Sequence, residues 1–261
     1  MGIDPNIMAP EGWHAALAAL EWQMDLGVTE ITGEDPLDRY ALPDTLKAPA
    51  VVAAAKETQR AAPTDPVAVA RAAAAQAGTL AALRDAITSF DLCDLKRGAK
   101  STVFADGNPA ARVLILGEAP GRDEDADGRP FVGPAGHLLD RMFAAIGLSR
   151  TSADPASALY ITNVMPWRPP QDRDPSPEEI AMMRPFVERH IALVNPALIV
   201  VMGNAACKCL LETQGMRLRG NWAQALGRPV LPMTHPTYLL RNPAAKREAW
   251  ADLLSLKGRL G

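Results

Sequence analysis

Three regimes of hydrophobic and polar spacing follow one another along the chain. Between residues 13 and 26 the apolar side chains Trp13, Leu17, Leu20 and Met24 fall on one stripe at helical spacing, which predicts an amphipathic helix packed on the main domain. Residues 28–65 are rich in Pro, Asp, Ala and Thr without a period and read as an extended or partly disordered arm. Pro66 suits the first position of a helix, and the alanine-rich run behind it has the propensity to continue that helix to about Phe90. From there to the C-terminus, short β-rich runs alternate with amphipathic segments, the pattern of parallel βαβ units.

Four strands are predicted, over residues 112–116, 159–164, 197–202 and 228–233, each followed by a helix, near 134–146, 177–194, 204–213 and 243–257. The second of these helices has the strongest start signal, with Ser176 and Glu179 spaced as a capping box and Pro177 between them. The chain therefore divides into residues 1–65, a helix plus arm, and an α/β domain over residues 66–261.

A chain of 261 residues with 48% hydrophobic composition can bury a sizeable core. No stretch approaches the roughly 18–20 consecutive apolar residues that span a bilayer, and no secretion-signal pattern opens the chain, so a soluble cytoplasmic protein without membrane contact is expected. Met1 to Ile7 reads as a leader before a second start at Met8. Cys93, Cys207 and Cys209 are an odd count for a disulfide framework and are expected as reduced thiols, with Cys207 and Cys209 on different helix faces as structural residues and not a metal pair. The net charge of −3 is unevenly spread: residues 207–261 hold 9 Lys and Arg against 3 Asp and Glu. A polyanion could be held at that end, though a solvated basic face would look the same.

In open parallel sheets the ligand crevice lies beyond the carboxyl ends of the strands. There the sequence places Gly117 to Asp125 and Gly128 to Gly133 after the first strand, Thr162, Asn163 and Val164 at the second, and Thr234 to Pro243 after the fourth. A carboxylate, a carboxamide, an aromatic ring and an imidazole meet at one rim, which makes a receptor for a flat polar ring. Removing a base from DNA needs those groups: a stacking face, hydrogen bonds to the pairing edge, a donor for charge on the departing ring, and a carboxylate near the sugar.

These segments, with the Arg168-Pro169-Pro170 loop, resemble the motifs of family 4 uracil-DNA glycosylases, the iron–sulfur type, in order from about Phe90 to the C-terminus. The resemblance implies a three-layer α/β/α sandwich with a central four-stranded parallel sheet, and a monofunctional enzyme that flips uracil out of DNA and hydrolyses its N-glycosidic bond. It implies catalytic roles for Glu118, at the water and the sugar, and for His235, donating to uracil O2. Ala119, Pro120, Gly121, Glu124, Phe131 and Asn163 would bind substrate, with Phe131 stacking on uracil, Asn163 on its pairing edge and Glu124 near C5. Tyr238, Leu239, Leu240 and Arg241 would press into the duplex; Leu239 and Leu240 could equally be buried against the sheet, as Glu124 could belong to a solvated acidic turn. Arg217, Arg219, Arg241, Lys246 and Arg247 are candidates for phosphate contacts.

The sequence departs from that family at the metal. The four cysteine positions of the cluster align with Phe90, Cys93, Trp167 and Met183, three of which cannot supply a thiolate. No cofactor and no metal are expected; an apolar plug of these four side chains is expected to hold the loop from Arg168 to Pro175. Some members of the wider superfamily form a covalent DNA adduct and carry an inserted basic loop after the acidic turn, where this chain has only Ala126 and Asp127 before Gly128; ordinary turnover by a monomer is expected. Two rival readings remain, a catalytically weak paralogue that binds damaged or single-stranded DNA, and a glycosylase for another deaminated base such as hypoxanthine.

Overall fold

A computed structural model describes residues 10–27, 65–213 and 218–261. The chain forms two compact units, residues 1–58 and 59–261. In the first, helix α1 covers Pro10–Asp25; the arm predicted over 28–65 lies, but for Asp65, outside the described residues, as do Met1 to Ile7.

The second unit opens with two helices where the alanine-rich run predicted one. α2 (Pro66–Gln76) is capped by Asp65, whose carboxylate accepts the Val67 N–H at 3.0 Å. It ends at Ala77 in extended conformation, and Thr79 then caps α3 (Leu80–Thr88) through the Ala82 N–H at 3.1 Å. Alanine propensity is overridden because a hydroxyl before Leu80 offers a fresh start just after glycine weakens the helix.

The sheet has six strands in the order β1, β3, β2, β4, β6, β5: β1 (Ala105–Gly107), β2 (Val113–Gly117), β3 (Leu159–Asn163), β4 (Leu198–Met202), β5 (Ala223–Ala225) and β6 (Arg228–Met233). The four expected strands are its parallel centre. Two three-residue strands that the sequence did not signal extend this centre by pairing antiparallel at its edges, β1 on β3 and β5 on β6. Such short pieces carry no periodicity, and they cover edges that would otherwise pair with another chain.

Alternation along β2 distributes its side chains to two cores. Leu114 and Leu116 join the layer of α2, α3, α6 (Pro177–Val194) and α7 (Asn204–Leu211), while Val113 and Ile115 face α5 (Pro134–Ala144) and the C-terminal helix. α6 begins as its sequence predicts: Ser176 accepts the Glu179 N–H at 3.2 Å and Glu179 reaches back to the Ser176 N–H at 2.7 Å. Further α-helices among the described residues are α4 (Arg122–Asp127), α8 (Pro236–Arg241) and α9 (Lys246–Leu260). α4 and α8 stand where the sequence reads as loops, being too short for a periodic signal. Among the described residues no helix is long and apolar enough to cross a membrane.

Chain order decides where a crevice opens. From β2 the chain passes through α5 to β3 on one side of the sheet centre, then through α6 to β4 on the other, so loops leave β2 and β4 toward opposite faces. Between their carboxyl ends lies the topological switch point, where ligands bind in sheets of this kind.

Candidate active site

A cavity of about 670 Å³ occupies that crevice, and Glu118, Ala119, Pro120, Gly121, Glu124, Phe131, Asn163 and His235 all line it. Residues expected from separate loops are thus brought together. β2 and β3 are in register with Gly117 beside Asn163. A Cβ at Gly117 would lie 2.2 Å from Asn163 Oδ1 and 2.6 Å from Phe131 Cε2, so the absence of a side chain there is what lets amide and ring converge. Asn163 is 8% exposed, and its Oδ1 is buried without a hydrogen-bond partner among the described residues. A buried acceptor left so costs about 1–3 kcal/mol, and a ring carrying an N–H would relieve it.

Glu118 projects from the end of β2 toward the start of α7, where the Ala205 N–H donates to Oε1 at 2.8 Å. Gly203, at the end of β4, has φ +96°, and a Cβ on it would fall 2.3 Å from Glu118 Cδ. Only glycine satisfies both the backbone and the space. Burial pushes the Glu118 carboxyl above the usual glutamate range, Asp174 adds to this, and the Ala205 and Asn204 N–H groups oppose it. The site thus holds a partly desolvated carboxylate in one orientation.

His235 caps α8. Its Nδ1 accepts the Thr237 N–H at 3.2 Å, so the neutral ring carries its proton on Nε2. Burial pushes its pKa down to about 4, which keeps the ring neutral at physiological pH. Its centroid lies 5.4 Å from that of Phe131, with the planes 31° apart.

Other expectations fare differently. The Glu124 carboxylate turns back to accept the Gly121 N–H at 3.0 Å, closing the first turn of α4 while still lining the cavity. Asp125, in the same acidic run, is buried and accepts the backbone N–H groups of Lys100 and Ser101. Tyr238, Leu240 and Arg241 stand at the cavity mouth, Tyr238 and Leu240 at 44% and 41% exposed. Leu239 corrects the expected wedge: it is fully buried with Leu138 and Ala249, because helical spacing turns it inward from its neighbours. Arg219 lines the cavity but is tied by ion pairs to Asp252 at 3.2 Å and Glu248 at 3.3 Å, so its charge is already matched. Arg217 lies outside the described residues, and Lys246 and Arg247 open α9 away from the cavity lining.

Gly203, Asn204 and Ala205 were not among the expected site residues, although the strand-end rule that selected the other loops applies equally after β4. Asp174 had no signal: its relation to Glu118 depends on how the loop after Trp167 folds back.

The cluster positions do not fit an iron–sulfur centre. Phe90, Cys93, Trp167 and Met183 are each 5% exposed or less and belong to one apolar core. Phe90 packs edge-on against Phe186 with centroids 5.4 Å apart, and Trp167 Nε1 donates to Thr102 Oγ1 at 3.1 Å. Burial raises the Cys93 thiol pKa, and no cluster of three or more His, Cys, Asp or Glu among the described residues could hold a metal ion. Trp167, buried in that core, precedes the loop, and within the loop Arg173 forks onto Glu179 at 2.9 and 2.6 Å and Arg168 pairs with Asp172 at 2.7 Å. Trp167→Ala is expected to cost about 3–5 kcal/mol in urea unfolding and to raise KM for a DNA substrate as the loop loosens; a loss below 1 kcal/mol would show that the indole is no support.

A parallel sheet whose switch point gathers a carboxylate, an aromatic wall, a carboxamide and a neutral imidazole defines a class. The chain belongs to the uracil DNA glycosylase superfamily, whose sequence profile matches residues 104–254. Several of its relatives are type-4 uracil-DNA glycosylases, the type that the motifs implied. A type-4 uracil-DNA glycosylase of Archaeoglobus fulgidus is 36% identical over 178 residues, 64% of this chain and 85% of that protein. Its counterpart in Thermotoga maritima is 38% identical over 154 residues, 58% and 77% of the two chains. One from Pyrobaculum aerophilum is 35% identical over 186 residues, 67% and 92%.

Proposed function

We propose that this protein excises uracil from DNA by hydrolysis without a metal cofactor, leaving an abasic site. The buried, unpartnered Oδ1 of Asn163 carries the reading. An extruded uracil stacked on Phe131 presents its N3–H and O4 to that amide, so the base satisfies an acceptor that none of the described residues satisfies. In this pose O2 faces His235 Nε2–H. As the bond between C1′ and N1 breaks, its electron pair moves onto the uracil ring and O2, where the neutral imidazole donates a hydrogen bond. The sugar becomes oxocarbenium-like, and the Glu118 carboxylate stabilises that positive charge and holds the water that attacks C1′. The water's proton passes to Glu118, leaving a C1′ hydroxyl and an N1-deprotonated uracil that is protonated from solvent.

Extrusion is supported by the depth of Asn163 and by the Tyr238, Leu240 and Arg241 rim, which can press on the duplex while the nucleotide enters. Glu124, held to Gly121, shapes the side of the cavity toward C5.

The test is a uracil-containing oligonucleotide incubated with the protein and then treated with alkali. Strand scission at uracil is expected, and Asn163→Ala is expected to lower kcat/KM by roughly 5- to 150-fold, the equivalent of about 1–3 kcal/mol. Retention in a gel shift without scission would instead make the protein a binding module, and scission at hypoxanthine but not uracil would assign it another base.

A further inference from the structure

Phe131 is held in a conformation that residues with a side chain avoid. Its φ is +53°, in the left-handed region where an aromatic residue is an outlier, and something in the fold must keep it there. Residue 150, 19 positions further along and outside the cavity lining, does so from behind. The Arg150 side chain is only 9% exposed. Its Nη2 donates to the Phe131 carbonyl at 2.9 Å and its Nη1 to the Pro130 carbonyl at 2.9 Å. The guanidinium is itself fixed by two carboxylates, Asp140 on α5 through Nε at 2.8 Å and Asp106 on β1 through Nη1 at 3.1 Å. α5 also approaches so closely that a Cβ at Gly136 would lie 1.7 Å from the same Phe131 carbonyl oxygen. The peptide is thus fixed by a planar fork and by close contact with a helix turn, while the Phe131 ring stands against Gly117 and beside His235.

We propose that Arg150 is a positioning residue for base recognition: its fork holds the Phe131 peptide in the left-handed region, so that the ring is already set as the stacking wall when a base enters. The inference rests on the uracil reading above for its kinetic consequence, but not for its structural one. Lysine at 150 keeps the charge and cannot reach two carbonyls and two carboxylates in one plane. The released peptide then leaves the left-handed region and the ring tilts. Stacking acts on the bound base before and during bond cleavage, so its loss falls on binding more than on the chemical step.

The experiment compares Arg150→Lys, Phe131→Leu and the double variant, using KM and kcat on a uracil oligonucleotide, inhibition by free uracil, and the crystal structure of Arg150→Lys. Expected are a KM about tenfold higher for Arg150→Lys with kcat within about threefold, uracil inhibition weakened by the same factor, and no further loss when the lysine is added to Phe131→Leu. Phe131 in the crystal is expected at negative φ. An unchanged Phe131 backbone, or an equal fall in kcat in both backgrounds, would overturn the proposal and leave Arg150 as ordinary support. If wild-type protein removes no uracil, the function proposed above fails on its own, and the φ of residue 131 still decides the clamp. Should Arg150→Lys not fold, Asp140→Asn, which frees the guanidinium from one side, is expected to raise KM in the same direction by a smaller factor; no change in KM would count against the clamp.

Discussion

Glu118→Gln is expected to lower kcat for uracil release by about a hundred- to ten-thousand-fold, the range of a positioned acid–base group, with little change in KM or melting temperature. The amide matches the carboxylate in shape and can still accept the Ala205 N–H that fixes the side chain, so the variant removes charge and basicity while keeping the geometry. Single-turnover rates on a uracil oligonucleotide measure the loss, and a residual rate within fivefold of wild type would remove Glu118 from the chemistry. The same carboxylate sets the acid limb of the pH profile. Burial raises its pKa, so it takes up a proton at a higher pH than a free glutamate does. The active anion is therefore lost as pH falls through that raised value, and the acid midpoint of kcat is expected above the ordinary glutamate range.

His235→Asn is expected to lower kcat by roughly a hundred- to a thousand-fold, the loss seen when one preorganised donor to a developing anion is removed. Asparagine is a good helix cap and can still accept the Thr237 N–H, so α8 keeps its start. Its amide is shorter than an imidazole and withdraws the donor from the cavity. Because burial holds the His235 pKa at about 4, the ring already lacks its second proton above pH 5. Wild-type activity is therefore expected to run level from the Glu118 limb through pH 8, with no decline near 6.5. A decline there would mean that the imidazolium and not the imidazole assists departure, and would overturn the assignment.

The two variants fail at different points of one reaction, so their pH profiles separate them. The His235→Asn protein should keep the wild-type acid limb at a lower plateau, whereas in Glu118→Gln that limb is absent.

The central strands were legible because each buries both faces and reads as a short apolar run, Val113 to Leu116 and Leu198 to Met202 being the plainest. The start of α6 was legible because its capping box is local chemistry, complete within Ser176 to Glu179. The site was legible as a set of loops, since glycines, a carboxylate and an imidazole after strand ends have few structural uses, and the family motifs ordered them. The break between α2 and α3 was misread because a run of alanines carries no phase, and one threonine cap decided it.

By itself the sequence determined which stretches pair into the sheet, which loops face its carboxyl rim, and that three of the four cluster positions hold no thiolate. Tertiary structure decided the rest: that Glu118 rests on the first N–H groups of α7, that Leu239 turns inward while Leu240 faces out, and that Asn163 keeps an acceptor unmatched. It also decided that Arg150 grips Phe131 from behind. Spacing encodes which way a side chain leaves its own strand or helix. What it meets there is set by distant segments, 87 residues apart in the case of Glu118 and Ala205, and only folding brings those within a hydrogen bond of each other.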